Sequence, residues 1–204
     1  LSSSLSSLSS AHTPALVLHS TRTSLSLLSL LHASAPSSPS ASHFAALATL
    51  LQSSTITPWS FHSGHLALEL AIARSLPSLV HALGFGTVRW LAILVPHLSA
   101  LVGDSPLGHR TWELVTEAAR ALQVVIKVAK DAGREARWKG LVGAAVGRCW
   151  VRLGDTQGEE RDRIEQRLRA ILLAMGDARV GHRLAGIAHE LNGLSLAVAV
   201  AVSV

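Results

Sequence analysis

No tyrosine occurs among the 204 residues, aromatics make up 4% of them, and there is a single cysteine, Cys149. One cysteine excludes an intrachain disulfide framework and a thiolate metal cage, so a reducing setting, cytoplasmic or nuclear, is expected. Charged residues are only 15% of the chain, and the first acid is Glu69. With aromatics scarce and Leu, Ala, Ser and Val abundant, the composition favours helix packed on helix over a β-sheet. An uninterrupted apolar run of about 18 residues is missing. The stretch "VRWLAILVPHLSALV" is broken by Pro96 and His97, and the terminal "LAVAVAVSV" is short, so no membrane span is expected.

What is present is apolar: 49% of residues are hydrophobic and the mean hydropathy is +0.37. That is enough for one domain with a sizeable core. The pI of 10.6 overstates basicity. The net charge is +5, from 18 Lys and Arg against 13 Asp and Glu, and the lack of tyrosine leaves little to titrate above neutral pH. Apart from Lys127, Lys130 and Lys139 the cations are Arg, spread along the chain rather than grouped. A nucleic-acid footprint needs cations on one face, so nucleic acid is not the expected partner.

Residues 1–68 contain Arg22, no Lys and many Ser, as in "LSSSLSSLSS" and "ASAPSSPSAS". An acid-poor, Ser-rich beginning resembles a transit peptide, but those are also Arg-rich. A low-complexity segment with short helical pieces, "SLSLLSLLHA" and "HFAALATLLQSS", is the simpler reading. Starting on Leu1, the chain reads as a piece of a longer protein.

From Gly64 the texture changes. "GHLALELAIARSL" favours helix, Pro77 is expected to interrupt it or to open the next segment, and "GFG" at 84–86 reads as a turn. Four apolar stripes at spacings of three and four then follow. They are Leu91, Leu94, Val95, Leu98, Leu101 and Val102; Leu114, Val115, Ala118, Leu122, Val125, Ile126 and Ala129; Trp138, Leu141, Val142, Ala145, Cys149 and Leu153; and Ile164, Leu168, Ile171, Leu172 and Met175. Val180, Leu184, Ile187, Ala188 and Leu191 suggest a fifth, with Gly193 as its stop. Turn chemistry separates the stripes, and Asp155 or Thr156 is a candidate cap for a helix opening on Glu159 and Glu160. Short links between amphipathic helices imply antiparallel neighbours. The expected fold is therefore all-α, a short α-solenoid of antiparallel helix pairs over residues 64–192. A Ser-rich, loosely helical segment precedes it at 1–63, and an apolar tail follows at 193–204.

Signs of catalysis are absent. The eleven histidines are scattered, no HExxH occurs, and the closest pairs, His62 with His65 and His182 with His189, have no Cys or acid cluster to complete a metal set. No Gly-x-Ser-x-Gly elbow appears. Cys149 lies in an apolar stripe beside Trp150, where a small buried hydrophobe is expected. The sequence predicts no enzyme and no cofactor or metal.

"LVPHLSALVGD" followed by "ELVTEAARALQVVIKVA" resembles a HEAT repeat. Pro96 falls within its A helix, Asp104 at its turn, and Val115, Ala118, Ala119 and Leu122 form its Val-x-x-Ala-Ala-x-x-Leu B helix. Thr116 replaces the Arg that often follows the Val, and the turn is several residues longer than usual. Over residues 88–175, the order "RWLAILVPHLSALVGD", "AARALQVVI", "RWKGLVGAAVGRCWVRL" is also similar to a particular family. Fungal members of that family form the third subunit of the Triple T co-chaperone complex, which matures phosphatidylinositol-3-kinase-related kinases. The features carrying it are the Ala-rich B helix and a third helix with Trp138 near its start and Cys149–Trp150 near its end. The resemblance implies a non-catalytic scaffold that binds larger helical-repeat subunits.

For such a scaffold the candidate partner-binding residues are Trp112, Arg134, Arg137, Trp138, Arg148, Trp150 and Arg152, since Trp and Arg concentrate at binding hot spots. The plainer role for the tryptophans is to fill gaps between repeats. Surplus apolar surface on a short solenoid points the same way, towards an obligate partner. The alternative reading is a basic helical protein, possibly organelle-targeted, that binds nucleic acid or a ribonucleoprotein.

Overall fold

The computed structural model describes residues 41–61, 64–108, 111–154 and 158–176, with isolated positions at 19, 23, 26 and 27. The expected fifth helix at 180–191 and the tail at 193–204 lie outside the described residues. The described part is all-α, with no strand. The chain divides into two compact units, Leu1–Ile93 and Leu94–Val204, with the frontier inside a helix.

The first unit opens with α1 (Ala41–Leu51), which widens into a π-helical turn at Gln52–Ile56 and continues into α2 (Thr57–Phe61). Hydroxyls accompany the widening: Ser54 donates to the Leu50 carbonyl, and Thr57 donates to the Gln52 carbonyl at 2.9 Å. Side-chain donors that bond back to the preceding turn compete with the regular ladder and favour such bulges. Leu47, Leu51, Ile56 and Trp59 are buried. Helix α3 (Leu66–Leu83) packs against α1. Its core face is Leu68, Ile72, Leu76, Leu79, Val80 and Leu83. Pro77 lies inside α3 and neither ends nor opens a helix. Buried Glu69 accepts the Gly64 N–H at 2.8 Å at the helix N-terminus, where a carboxylate is favoured by the dipole.

The "GFG" stretch corrects the expectation of a turn. Gly84, at φ +51, caps α3, and the chain then continues as a 3-10 helix through Trp90 into α4 (Leu91–Asp104). A glycine that relieves the backbone at one residue does not require the next residues to leave helical space. Trp90 is held there by donating its indole N–H to Gln52 Oε1 at 3.0 Å, and Arg89 stacks over its ring at 3.8 Å. Pro96 sits within α4. The helical run Leu66–Asp104 contains an 18-residue window of mean hydropathy 1.5, 44% of it buried in the fold. By length and composition that run is long enough to cross a bilayer, a test that a packed core helix also meets.

In the second unit α5 (Trp112–Asp131), α6 (Lys139–Leu153) and α7 (Glu159–Ala174) follow the end of α4. The stripes of α4, α5 and α7 are buried as their spacing predicts. The third stripe needs one correction: Leu141 is 39% exposed, and Val146 and Trp150 take the interior positions with Val142. Those two continue from Val142 at steps of four, whereas Leu141 is turned about 100° away from it. Asp155 and Thr156, the expected caps, lie outside the described residues; the residue directly before α7 is Gly158, at φ +121, and no side chain caps the helix there. Glu159, Glu160 and Asp162 occupy the first turn of α7, favourably placed against its dipole.

Candidate functional site

The seven candidate residues fall at two ends of the second unit rather than in one patch. Trp112 opens α5, half-buried, and Arg134 and Arg137 lie just beyond the other end of that 20-residue helix, about 30 Å away. Both arginines are exposed, and Arg137 stacks over the Trp138 ring at 5.1 Å. Trp138 and Trp150 are 9% and 4% exposed, so they fill the interior and present little to a partner. The sequence periodicity carries that outcome for Trp150, which stands eight residues after Val142 on the core face.

Arg148 and Arg152 have a structural role that the sequence does not announce. Arg148 grips Asp104 in a two-pronged pair, Nε to Oδ1 at 2.8 Å and Nη2 to Oδ2 at 3.4 Å. Asp104 stands at the carboxyl end of α4, where the dipole disfavours an acid, and the guanidinium offsets that. Arg152, half-buried, donates to the carbonyls of Val102 (3.0 Å) and Ser105, as well as to the Arg148 carbonyl at 3.3 Å. The Val102 and Ser105 carbonyls lie at the carboxyl end of α4, past the reach of its own N–H ladder, so one side chain caps α4 from α6. Close approach makes the arrangement reachable: a Cβ on Gly103 would stand 3.0 Å from Ala145 Cα and 2.8 Å from Arg148 Nη2.

The same region holds Cys149. Burial pushes its thiol up from 9.0 to about 11, and the neighbouring Arg152 cation only partly offsets this. A protonated, buried thiol is a poor nucleophile and a poor metal ligand. Among the described residues no group of three or more His, Cys, Asp or Glu side chains is arranged to hold a metal.

Three arginines on α5 and α7 pair within their own helices: Arg120 meets Glu117 at 3.4 Å, Arg163 meets Glu159 at 3.1 Å, and Arg169 meets Glu165, at spacings of three and four. Apolar side chains also face outward: Val151 at 61% and Leu173 at 64%, which the sequence did not mark, and Leu141, which it placed in the third stripe. No protein-family model, curated protein or solved structure matches this chain.

Proposed function

We propose that this chain is a non-catalytic protein-interaction scaffold built as a short α-solenoid, a subunit of a co-chaperone complex that matures phosphatidylinositol-3-kinase-related kinases. One observation supports the scaffold reading: helices two apart in the chain meet, besides the adjacent pair α6 and α7. Helix α4 meets α6 through Gly103, Ala145, Asp104, Arg148 and Arg152, and α5 packs along α7. Helices that meet every second neighbour lie in two layers, as stacked helix pairs do. The co-chaperone assignment rests on the sequence resemblance over residues 88–175. Its partners are larger helical-repeat subunits, met in the cytoplasm or nucleus, with no cofactor and no membrane span.

The electrostatic alternative loses support from the placement of the cations. Arg148, Arg152, Arg163 and Arg169 are engaged with carboxylates or helix-end carbonyls, and those on α7 alternate with acids. A phosphate-binding face needs them free and grouped. Purifying the tagged protein from its native cells at low and high salt, with mass spectrometry of what stays bound, separates the two. The scaffold reading expects helical-repeat co-chaperone subunits at both salts. Partners lost at high salt, with nucleic acid present at low salt, would sink it, because phosphate contacts weaken steeply with ionic strength.

A further inference from the structure

Lys127, Lys130 and Lys139, the lysines of this chain, all fall between residues 127 and 139, with Arg134 and Arg137 among them. The backbone folds this stretch tightly where α5 gives way to α6. Past Gly133, at φ +65, the Arg134 N–H donates to the Ala129 carbonyl at 2.8 Å, and the Trp138 N–H donates to the Glu135 carbonyl at 2.9 Å. One compact turn thus carries all five cations, and each is exposed. Among the described residues none of the five is in an ion pair, not even with Asp131 or Glu135 inside the same stretch. Arg120, Arg148, Arg163 and Arg169, by contrast, each meet a carboxylate. Fold electrostatics account for Lys130, in the last turn of α5, where the helix dipole favours a cation. They do not account for Arg134, Arg137 and Lys139, which lead into α6, a helix with no acid in its first turn. There the dipole disfavours positive charge, so these three side chains cost the folded chain stability unless an anion meets them.

We propose that the turn between α5 and α6 docks a short acidic segment of a partner protein. Charge selects this occupant. Five cations against Asp131 and Glu135 leave an excess of three, which a segment with about three carboxylates matches. Guanidinium forks suit carboxylates in pairs, and Arg134 and Arg137 are both open to them. A nucleic acid fits the turn less well. A duplex carries one negative charge per about 1.7 Å, so its charge outruns that excess and brings phosphates against the two acids. A single strand needs exposed aromatic rings on which its bases stack. The aromatic side chain of this stretch, Trp138, is 9% exposed and lies beneath Arg137. The proposal rests on the scaffold reading and supplies the chemistry of one of its contacts.

Fluorescence anisotropy with the purified full chain tests it. The probes are a labelled peptide of alternating Asp and Glu, its Asn and Gln counterpart, and a single-stranded oligonucleotide of equal charge. The acidic peptide should bind at least about tenfold more tightly than the amide peptide. Arg134→Glu, Arg137→Glu and Lys139→Glu together should weaken the acidic peptide by at least about tenfold. The same net change made by Arg120→Glu, Arg163→Glu and Arg169→Glu, outside the turn, should weaken it by less than about threefold, because salt screens distant charges. Arg134→Gln with Lys139→Gln leaves Arg137 over the Trp138 ring and should weaken binding about threefold, a readout that survives if the reversal unfolds the chain. Absent binding of the acidic peptide, equal binding of the two peptides, or equal losses in the two reversed variants overturn the proposal. So does an oligonucleotide that binds more tightly than the acidic peptide and is lost on reversal at 134, 137 and 139, which makes nucleic acid the occupant. The assay contains no other subunit, so its outcome is read apart from the co-purification that tests the scaffold.

Discussion

Helices α6 and α7 are neighbours of nearly equal length and opposite design. In α7 the buried face is Ile164, Leu168, Ile171 and Leu172, and most of the outward positions carry acids and arginines, two of them paired at a spacing of four. In α6 no charged residue stands between Lys139 and Arg148, and Arg148 and Arg152 are tied to the end of α4. An amphipathic helix such as α7 meets the water with charged side chains, whereas α6 turns small residues outward and is tied to its neighbour by two arginines. The difference teaches that a helix with few charges can be fixed by two arginines at a neighbouring helix end, where its neighbour relies on one continuous apolar face.

The comparison can be broken most sharply at the core of α7. Leu168→Ala empties a position that is fully buried and should lower unfolding free energy by about 2–5 kcal/mol in a urea titration. A loss under 1 kcal/mol would mean that α7 is not held by that face. The next effect is on α6 and depends on pH. Because the folded Cys149 thiol keeps its proton up to about 11 and the unfolded one only to 9.0, the folded state binds more protons between those values. Its contribution is complete below pH 9 and is lost as pH rises through 11, a fall of about 2–3 kcal/mol. Comparing Cys149→Ala with the unaltered chain across that window isolates it, since the variant should lack this part of the alkaline decline.

Gly103→Ala probes the packed flank. The added methyl meets Ala145 and Arg148 at 2.8–3.1 Å, so a loss of about 1–3 kcal/mol is expected. Arg152→Ala removes charged donors from end-of-helix carbonyls and should lose about 1–2 kcal/mol. Arg163→Ala on α7, whose pair is solvent-exposed, should change stability by under about 0.5 kcal/mol. Equal effects for the two arginines would remove the distinction between a structural tie and a solvated pair. One effect carries the opposite sign: Gly143→Ala, where a Cβ meets nothing, should raise stability by about 0.5–1 kcal/mol in the same titration.

The candidate surface was legible only in part. Tryptophan and arginine content singled out seven residues, yet Trp138 and Trp150 lie inside, and Arg148 and Arg152 are engaged within the chain. Trp112, Arg134 and Arg137 keep outward surface but stand at opposite ends of α5. Composition names residue types that favour interfaces and says nothing about which of them the fold itself has already taken.

The sequence by itself determined the described helices of the second unit, α4 to α7: their limits to within a few residues, and nearly all their buried positions. It could do so because helical periodicity is local, written at steps of three and four and read without knowing any neighbour. Only the tertiary structure decided that Gly103 is a point of contact while Gly143 is open, that Leu141 faces outward, and that Arg152 caps a helix whose carbonyls lie about fifty positions earlier. Those outcomes depend on which helix faces which. No window along the chain contains that pairing, because the side chains that meet are separated by whole helices and come together only when the apolar faces pack.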